Sequence, residues 1–289
     1  MKIDLHCHST ASDGSLTPNE LVQRAHQMQV NVLALTDHDT IAGIASAKQA
    51  AAQLHGGHPL TLVHGIELSC RWQGFEIHIL GWHFELENKQ LNALIEAQAE
   101  ARRMRAQLIM DKLIEHGVSS SALASVQARQ TQAEQLVTRK HLADALVAAG
   151  YVKTIDDAFK RYLGKGQCAY VTPQWCSIEE AVEAIHQAGG VSGLAHPLAY
   201  DLSTKWLKRL LQHYKDVGGD ALEVAGGQQA PQQRQYLGEL AVQFGLTASV
   251  GSDFHNIGRW RELGHQLKLP EQCQPVWTNW ADIEVLQAD

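Results

Sequence analysis

The feature that most constrains this chain is a repeated phrase: a short apolar run that carries or ends in histidine or a carboxylate. It occurs in IDLHCHS (3–9), NVLALTDHD (31–39), LTLVHGIELS (60–69), FEIHILGWHF (75–84), GVSGLAHP (190–197) and LTASVGSDFH (246–255). DALEVAGG (220–227) has the same apolar body and ends in a glycine pair. Helical patterns lie between these runs. Thr17-Pro18-Asn19-Glu20 reads as an N-cap with proline at the first helical position, opening residues 18–29. Ser177-Ile178-Glu179-Glu180 has the capping-box spacing and opens residues 178–188. Residues 41–54, 203–214 and 230–243 are further helices. Alternating strands and helices imply a parallel sheet with helical crossovers, and seven strand candidates come close to a (β/α) barrel.

Residues 88–165 break the rhythm. Helical patterns cover 88–116, 139–149 and 154–162 with no strand between them, so this stretch reads as a helical insertion between the fourth and fifth strands. The expected division is a discontinuous barrel from 1–90 and 166–289 and an insertion at 91–165, with Leu94, Ile95, Leu108, Ile109 and Leu113 as its packing residues. A hydrophobic fraction of 45% and a charged fraction of 19% support a sizeable core. No apolar run approaches membrane-spanning length, and the N-terminus lacks a basic and then apolar leader, so a cytoplasmic location is expected. The five scattered cysteines read as free thiols. A net charge of −7 argues against a general nucleic-acid coat, and no DNA-binding module is evident. Residues 91–165, however, hold 11 Lys/Arg against 8 Asp/Glu, a mildly basic middle in an acidic chain.

In barrels of this class the catalytic groups come from the C-terminal ends of different strands. His6, His8, Asp13, His38, Glu67, His78, His196, Asp253 and His255 occupy such places. All nine are good ligands for Zn²⁺, Mn²⁺ or Fe²⁺. On an extended strand residues i and i+2 share a face, so His6 and His8 can reach one ion while Cys7 points away. Asp253 and His255 can share a site by the same rule.

DLHCHSTASDG, ALTDHDT, GIELS, EIHILGW, GLAHP and GSDFH together resemble the ordered motifs of the polymerase and histidinol phosphatase (PHP) superfamily. The resemblance spans roughly 1–84 and 167–265. It implies a distorted seven-stranded (β/α)7 TIM-like barrel, two or three divalent ions and phosphoesterase activity. Manganese is the leading ion, with iron or zinc as alternatives. His6, His8, Glu67 and Asp253 would hold one ion; Glu67, His78 and His196 a second, with Glu67 bridging; Asp13, His38 and His255 a third. His196, Asp13 and His255 are the expected catalytic residues. Three divalent ions would bring about +6 against about −3 from the carboxylates, which favours an anionic substrate over a neutral amide. The expected mechanism is in-line attack by a hydroxide held on the ions, with the proton donor left open between His196 and a water.

The insertion supplies candidates for a second phosphate. Arg102 and Arg105 share a helical face. Arg139 and His141 lie near a helix start, where an anion is welcome, and Lys165 lies in a glycine-flanked loop. Arg102, Arg139, His141 and Lys165 are the expected phosphate-binding residues, with Arg103 on the surface. An intact site with such an insertion resembles the bacterial subgroup that acts on nucleotides. Members remove the 3′-phosphate from 3′,5′-bisphosphonucleosides or degrade short 5′-phosphorylated RNA in the 5′-to-3′ direction. The rivals are a histidinol-phosphate phosphatase, a non-catalytic metal-binding module and a metal amidohydrolase. Trp175, Tyr170 and Trp206 read as core or rim residues that could stack a base. His265 and Gly226–Gly227 could reach substrate, and Asp37 or Asp39 could orient His38. The stretch after 265, with Trp277 and Trp280, is expected to pack on the barrel.

Overall fold

The computed structural model describes residues 1–132, 135–258 and 261–283. The first half of the barrel comprises β1 (Ile3–Asp4), α1 (Pro18–Gln27), β2 (Val32–Leu35), α2 (Ile44–Ala52), β3 (Thr61–Trp72) and β4 (Phe75–Trp82). The insertion follows as α3 (Lys89–Glu115), α4 (Ala124–Gln130), α5 (Arg139–Ala148) and α6 (Ile155–Ala158). The barrel resumes with β5 (Cys176–Ser177), α7 (Ile178–Gln187), β6 (Val191–Leu194), α8 (Thr204–Asp216), β7 (Ala221–Gly226), α9 (Pro231–Gln243) and β8 (Thr247–Gly251). Capping boxes open α1 at Thr17 and Glu20 and α7 at Ser177 and Glu180. Their side chains take up backbone donors that a helix start leaves unpaired. Among the described residues no helix is long and apolar enough to cross a membrane.

The main sheet runs β1-β2-β3-β4-β6-β7-β8, with the short β5 paired to β3. The chain after β1 then meets the chain around β8. Leu5 N donates to Val250 O at 2.9 Å, Asp253 N to His6 O at 2.8 Å and His8 N to Phe254 O at 2.9 Å. Seven strands therefore form a nearly closed barrel. One strand departs from the expected parallel order: β4 is antiparallel to both β3 and β6. The cause is the connection. Gln73 and Gly74 both adopt left-handed backbone angles, with φ of 50° and 84°. A two-residue turn of this kind makes a hairpin and leaves no room for a crossover helix.

Leu5, Val32, Ala34, Leu80, Trp82, Ala225 and Val250 belong to one buried apolar cluster of the barrel. Each aliphatic side chain buried in full stabilises the fold by about 1.5–3 kcal/mol. Trp82 pairs with Gly65 and Val191, at the end where the parallel strands begin. Its indole N–H donates to Leu5 O at 2.9 Å. Gly193 makes room for it, since a Cβ there would lie 2.4 Å from the ring. Val276, Trp280 and Ile283 join the same cluster. The stretch after 265 thus packs, over its described residues 266–283, on the barrel at the end opposite the polar strand ends, while 284–289 lie outside the described residues.

The insertion has its own core, built from Ile109, Met110, Leu113, Leu142, Leu146 and Leu163 among others. The 27-residue α3 belongs to both bodies, because Leu91 and Ile95 pack in the barrel while Ala106, Ile109, Met110 and Leu113 pack in the insertion. Leu108 is not a packing residue. It is 50% exposed, because the buried stripe of α3 follows Arg102, Arg105, Ile109 and Leu113 along the neighbouring face. The helix expected over 154–162 stops at Ala158 and continues as a π turn over Phe159–Leu163.

Candidate metal centre

The nine side chains singled out by the motifs meet at one mouth of the barrel. Glu67, wholly buried in the middle of β3, lies at the centre. Its Oε1 is 2.9 Å from His78 Nδ1 and 2.9 Å from His196 Nε2. Its Oε2 is 2.9 Å from His38 Nδ1 and 3.3 Å from both His6 Nε2 and His8 Nε2. Asp253 Oδ1 lies 3.6 Å from His6, 3.4 Å from His8 and 3.4 Å from His255. Asp13 Oδ1 lies 3.3 Å from His255 Nε2 and 4.0 Å from His38 Nε2. The potential ligand atoms form four overlapping groups. These are His8/Asp13/His38/His255, His6/Glu67/His196, His6/His8/Asp253 and His38/Glu67/His78. The grouping differs slightly from the one the resemblance implies, in that His8 also faces the Asp13 side.

The donor set suits borderline divalent ions: imidazoles and carboxylates, with no thiolate. Cys7 points away, its Sγ donating to Ala34 O. The unsatisfied atoms agree. Asp13 Oδ1, Glu67 Oε2, His8 Nδ1, His38 Nδ1 and His196 Nδ1 are buried, and the close contacts that some of them make lack the angles of a hydrogen bond, a costly arrangement unless something else engages the cluster. Protonation is the alternative. Burial alone would raise the Glu67 carboxyl, yet His38, His6 and His78 hold it well below its ordinary value. Burial likewise opposes ionisation of Asp13 and Asp253, and the surrounding imidazoles overcome it. His255 is pushed up to about 9, because Asp253 and Asp13 outweigh its desolvation. Bound ions and protons therefore compete for these sites.

Several residues position the ligands, and the sequence reading did not identify their roles. Glu223, in the middle of β7, accepts from His6 Nδ1 at 3.1 Å and from the His196 backbone N–H. That bond presents His6 Nε2 to the centre. Asp4 accepts from Ser252 N and Gly264 N, both at 2.8 Å. Gly251 is required by close approach, since a Cβ there would lie 2.2 Å from the His6 Cβ. The Tyr200 hydroxyl accepts from His78 N at 2.9 Å and donates to Ala195 O at 2.9 Å. Asp37 and Asp39 do not orient the His38 ring. Asp37 accepts from Ser9 N, Ser9 Oγ and Ser12 Oγ at 2.6–2.7 Å and so shapes the loop that presents Asp13. Asp39 ties this mouth to α3, accepting from Ser69 N at 2.7 Å, Gln98 Nε2 at 3.1 Å and Arg102 Nε at 2.6 Å. From α4, Arg129 donates to Thr10 O at 2.6 Å and Ser12 O at 2.7 Å.

A cavity lies between the centre and the insertion. Asp13, His38 and His78 line it from the barrel, and Arg102, Arg105, Arg139 and Lys140 from the insertion. Arg102 is engaged by Asp39 and by Ser69 Oγ at 2.7 Å. Arg105 and Arg139 instead share one carboxylate, Glu76, at 3.3 Å and 3.2 Å. One guanidinium charge is therefore left over in the cavity wall. Burial lowers Arg105 to about 10, with Glu76 opposing the fall, so it stays charged at neutral pH. Trp175 stacks beside both Arg102 and Arg105, at 4.8 Å and 5.3 Å.

Two of the expected phosphate contacts lie elsewhere. His141 Nδ1 accepts from the Thr138 N–H at 3.0 Å, closing the capping box of α5, and its ring faces a hollow beside Arg129 and Gln132. Lys165 is exposed, its Nζ 3.5 Å from Gly74 O, and does not line the cavity. Trp206 packs against Trp72 and Phe75, and His265 is exposed.

The PHP domain model matches residues 4–215. The chain belongs to the PHP family. This PHP chain is 44% identical over 284 residues to the 5′-3′ exoribonuclease Rnm of Salmonella typhimurium, covering 98% of this chain and 95% of that protein. It is 36% identical over 276 residues to the 3′,5′-nucleoside bisphosphate phosphatase of Chromobacterium violaceum, covering 95% of each. Among solved structures, a Chromobacterium violaceum protein described as an amidohydrolase, with sulfate bound and no metal, superposes with a TM-score of 0.88. It is 35% identical and covers 100% of this chain and 96% of its own.

Proposed function

We propose that this PHP chain is a metal-dependent phosphoesterase that cleaves the bond between a phosphate and a nucleotide 3′ oxygen. Its substrates are 3′,5′-bisphosphonucleosides, short 5′-phosphorylated RNA, or both, as in its exoribonuclease and bisphosphate phosphatase relatives. The observation that carries the reading is the two-ended cavity. A ligand cluster for cations stands at one wall, and at the other a guanidinium pair shares the single carboxylate of Glu76.

His6, His8, Glu67 and Asp253 would hold one ion, and Glu67, His78 and His196 a second. Asp13, His38 and His255 would hold a third, with manganese the leading candidate. Bound ions would lower the pKa of a water and neutralise the non-bridging phosphate oxygens. In the balanced reaction a water oxygen joins phosphorus, the P–O3′ bond breaks and the 3′ oxygen takes a proton. A bisphosphonucleoside then yields inorganic phosphate, and an RNA chain yields a 5′-mononucleotide and a chain shortened by one, again 5′-phosphorylated. Arg105 and Arg139 hold the 5′-phosphate, and Trp175 and Phe159 close the cavity around the nucleoside. Glu223 and Asp37 act at one remove, fixing His6 and the Asp13 loop.

The rivals fit this cavity less well. A histidinol phosphate amine would face Arg105 and Arg139, and a neutral amide would leave their surplus charge unanswered. The test is a reaction of manganese-loaded protein with 3′,5′-bisphosphoadenosine, 5′-phosphorylated trinucleotide RNA and histidinol phosphate. Phosphate or 5′-mononucleotide release from the first two is expected. Hydrolysis of histidinol phosphate alone, or of no phosphoester, refutes the reading.

A further inference from the structure

The cavity under the insertion meets only part of the ligand cluster. Asp13, His38 and His78 face it, whereas His196, Asp253 and His255 open onto two other hollows. The first is lined by His196, Leu198, Gly226, Gly227, Gln229 and Arg261. The second is lined by Asp253, His255, Asn256, Arg261, Lys140 and Ile155. Arg261 belongs to both, and Lys140 belongs to the second hollow and to the main cavity. The three spaces therefore adjoin around the centre.

We propose that this outer trough seats the nucleotide on the 3′ side of the scissile phosphate. The 5′-terminal nucleotide then lies under the insertion, and the rest of an RNA chain leaves across Leu198 and Ile257. The inference rests on the phosphoesterase reading above and adds a direction to it. A bisphosphonucleoside has nothing to place in the trough, whereas a chain must leave the centre by some route.

Three properties suit the trough to this occupant. Three aliphatic side chains stand on its otherwise polar rim: Leu198, Ile155 and Ile257 are 37%, 38% and 57% exposed, and all three lie in or beside the segments that line it. Aliphatic side chains can cover the flat face of an unstacked base by non-directional apolar contact, which does not select its identity. At Gly226 nothing lies within 4 Å of where a Cβ would stand, so backbone is open to a sugar there. Arg261, 43% exposed, donates through Nη1 to Asp253 Oδ2 at 2.8 Å and places a cation where the next phosphate would pass.

The trough is tested by adding negative charge to its rim in Leu198→Asp and Ile257→Asp, with Met104→Asp on the outer face of α3 as the control. The reading is the ratio of kcat/KM for a 5′-phosphorylated trinucleotide to kcat/KM for 3′,5′-bisphosphoadenosine. A carboxylate beside a passing phosphate should lower that ratio about three- to tenfold in each rim variant, less at high salt, and leave it unchanged in the control. An independent readout is photocrosslinking of a trinucleotide carrying 4-thiouridine at its second position. Crosslinks are expected on peptides containing 197–199 or 256–257. An unchanged ratio, or crosslinks from that position to α3 or Trp175, overturns the trough while leaving the phosphoesterase reading intact. Wild-type protein that hydrolyses neither substrate overturns that reading itself, and the trough with it.

Discussion

Arg139→Ala separates recognition of the 5′-phosphate from the chemistry. In the free protein Arg139 and Arg105 share Glu76, and Arg139 also lies 5.7 Å from the Phe159 ring. Removing Arg139 leaves one guanidinium against one carboxylate, so the cavity wall loses its surplus charge. A charge-assisted hydrogen bond to phosphate is worth about 1.5–3 kcal/mol. Arg139 is 30% exposed, and solvent screening pulls its contribution toward the lower half of that range. About 2 kcal/mol corresponds to a loss of roughly 30-fold in kcat/KM. The assay compares 3′,5′-bisphosphoadenosine with 3′-adenylate, which lacks the 5′-phosphate. The bisphosphate should lose the full factor, chiefly in KM, and 3′-adenylate less than about threefold. Arg139→Lys should recover part of the loss, since it keeps the charge but not the fork of donors. Equal losses on both substrates would show that Arg139 supports the fold or the ions, and no loss on either would remove it from recognition.

Glu67→Gln removes the carboxylate that faces five imidazoles. Manganese retained after gel filtration, measured by inductively coupled plasma mass spectrometry, should fall by at least one ion per chain, and retention of the wild-type count would refute the bridging assignment. Asp39→Asn leaves Arg102 buried without its counter-charge and should destabilise the protein by about 3 kcal/mol in urea unfolding, with a change under 1 kcal/mol refuting the tie. His141 is pushed down to about 4, mainly by burial and then by Arg129, so the folded protein resists a proton that the unfolded chain accepts near 6.5. Stability should therefore fall as pH drops from about 6.5 to about 4, and His141→Gln, which can keep the capping box, should flatten that limb of the urea midpoint. Arg129→Ala should weaken manganese binding by freeing the loop that presents Asp13, detected as a right-shifted manganese titration of activity and of electron paramagnetic resonance signal, and unshifted curves would refute its positioning role.

Much of this protein was legible from its strand ends. The His6–Cys7–His8 alternation, the Asp253–His255 pair and the two capping boxes depend on local geometry, and local geometry is written in adjacent residues. The sense of β4 was also written, in the two residues Gln73-Gly74, but the strand–helix rhythm on either side masked it. Glu76 and His78 lie two apart on that strand and share a face, but a lone glutamate beside a histidine carries no distinctive signal of its own. Glu223 was less visible, because a single carboxylate in an apolar strand carries no spacing signal. The Asp39–Arg102 tie joins residues 63 positions apart, so Arg102 read as a free cation when it is a bound one. His141 shows two local rules in competition: a helix start attracts anions, but a side chain at the third helical position can fold back to cap the helix instead.

The single rod of α3 also sets a phase. It is anchored in the barrel at Leu91 and Ile95, clasped by Asp39 at Arg102 and buried in the insertion from Ala106 onward. Each residue along such a helix turns the next by about 100°. Adding or deleting one residue between Ile95 and Arg102 would swing the whole insertion round the rod and carry Arg105 off the cavity wall, even with every side chain preserved. Changes of length there are tolerable only in steps close to whole turns, so relatives that resize this lobe should do so in its distal loops and keep the count along the shaft.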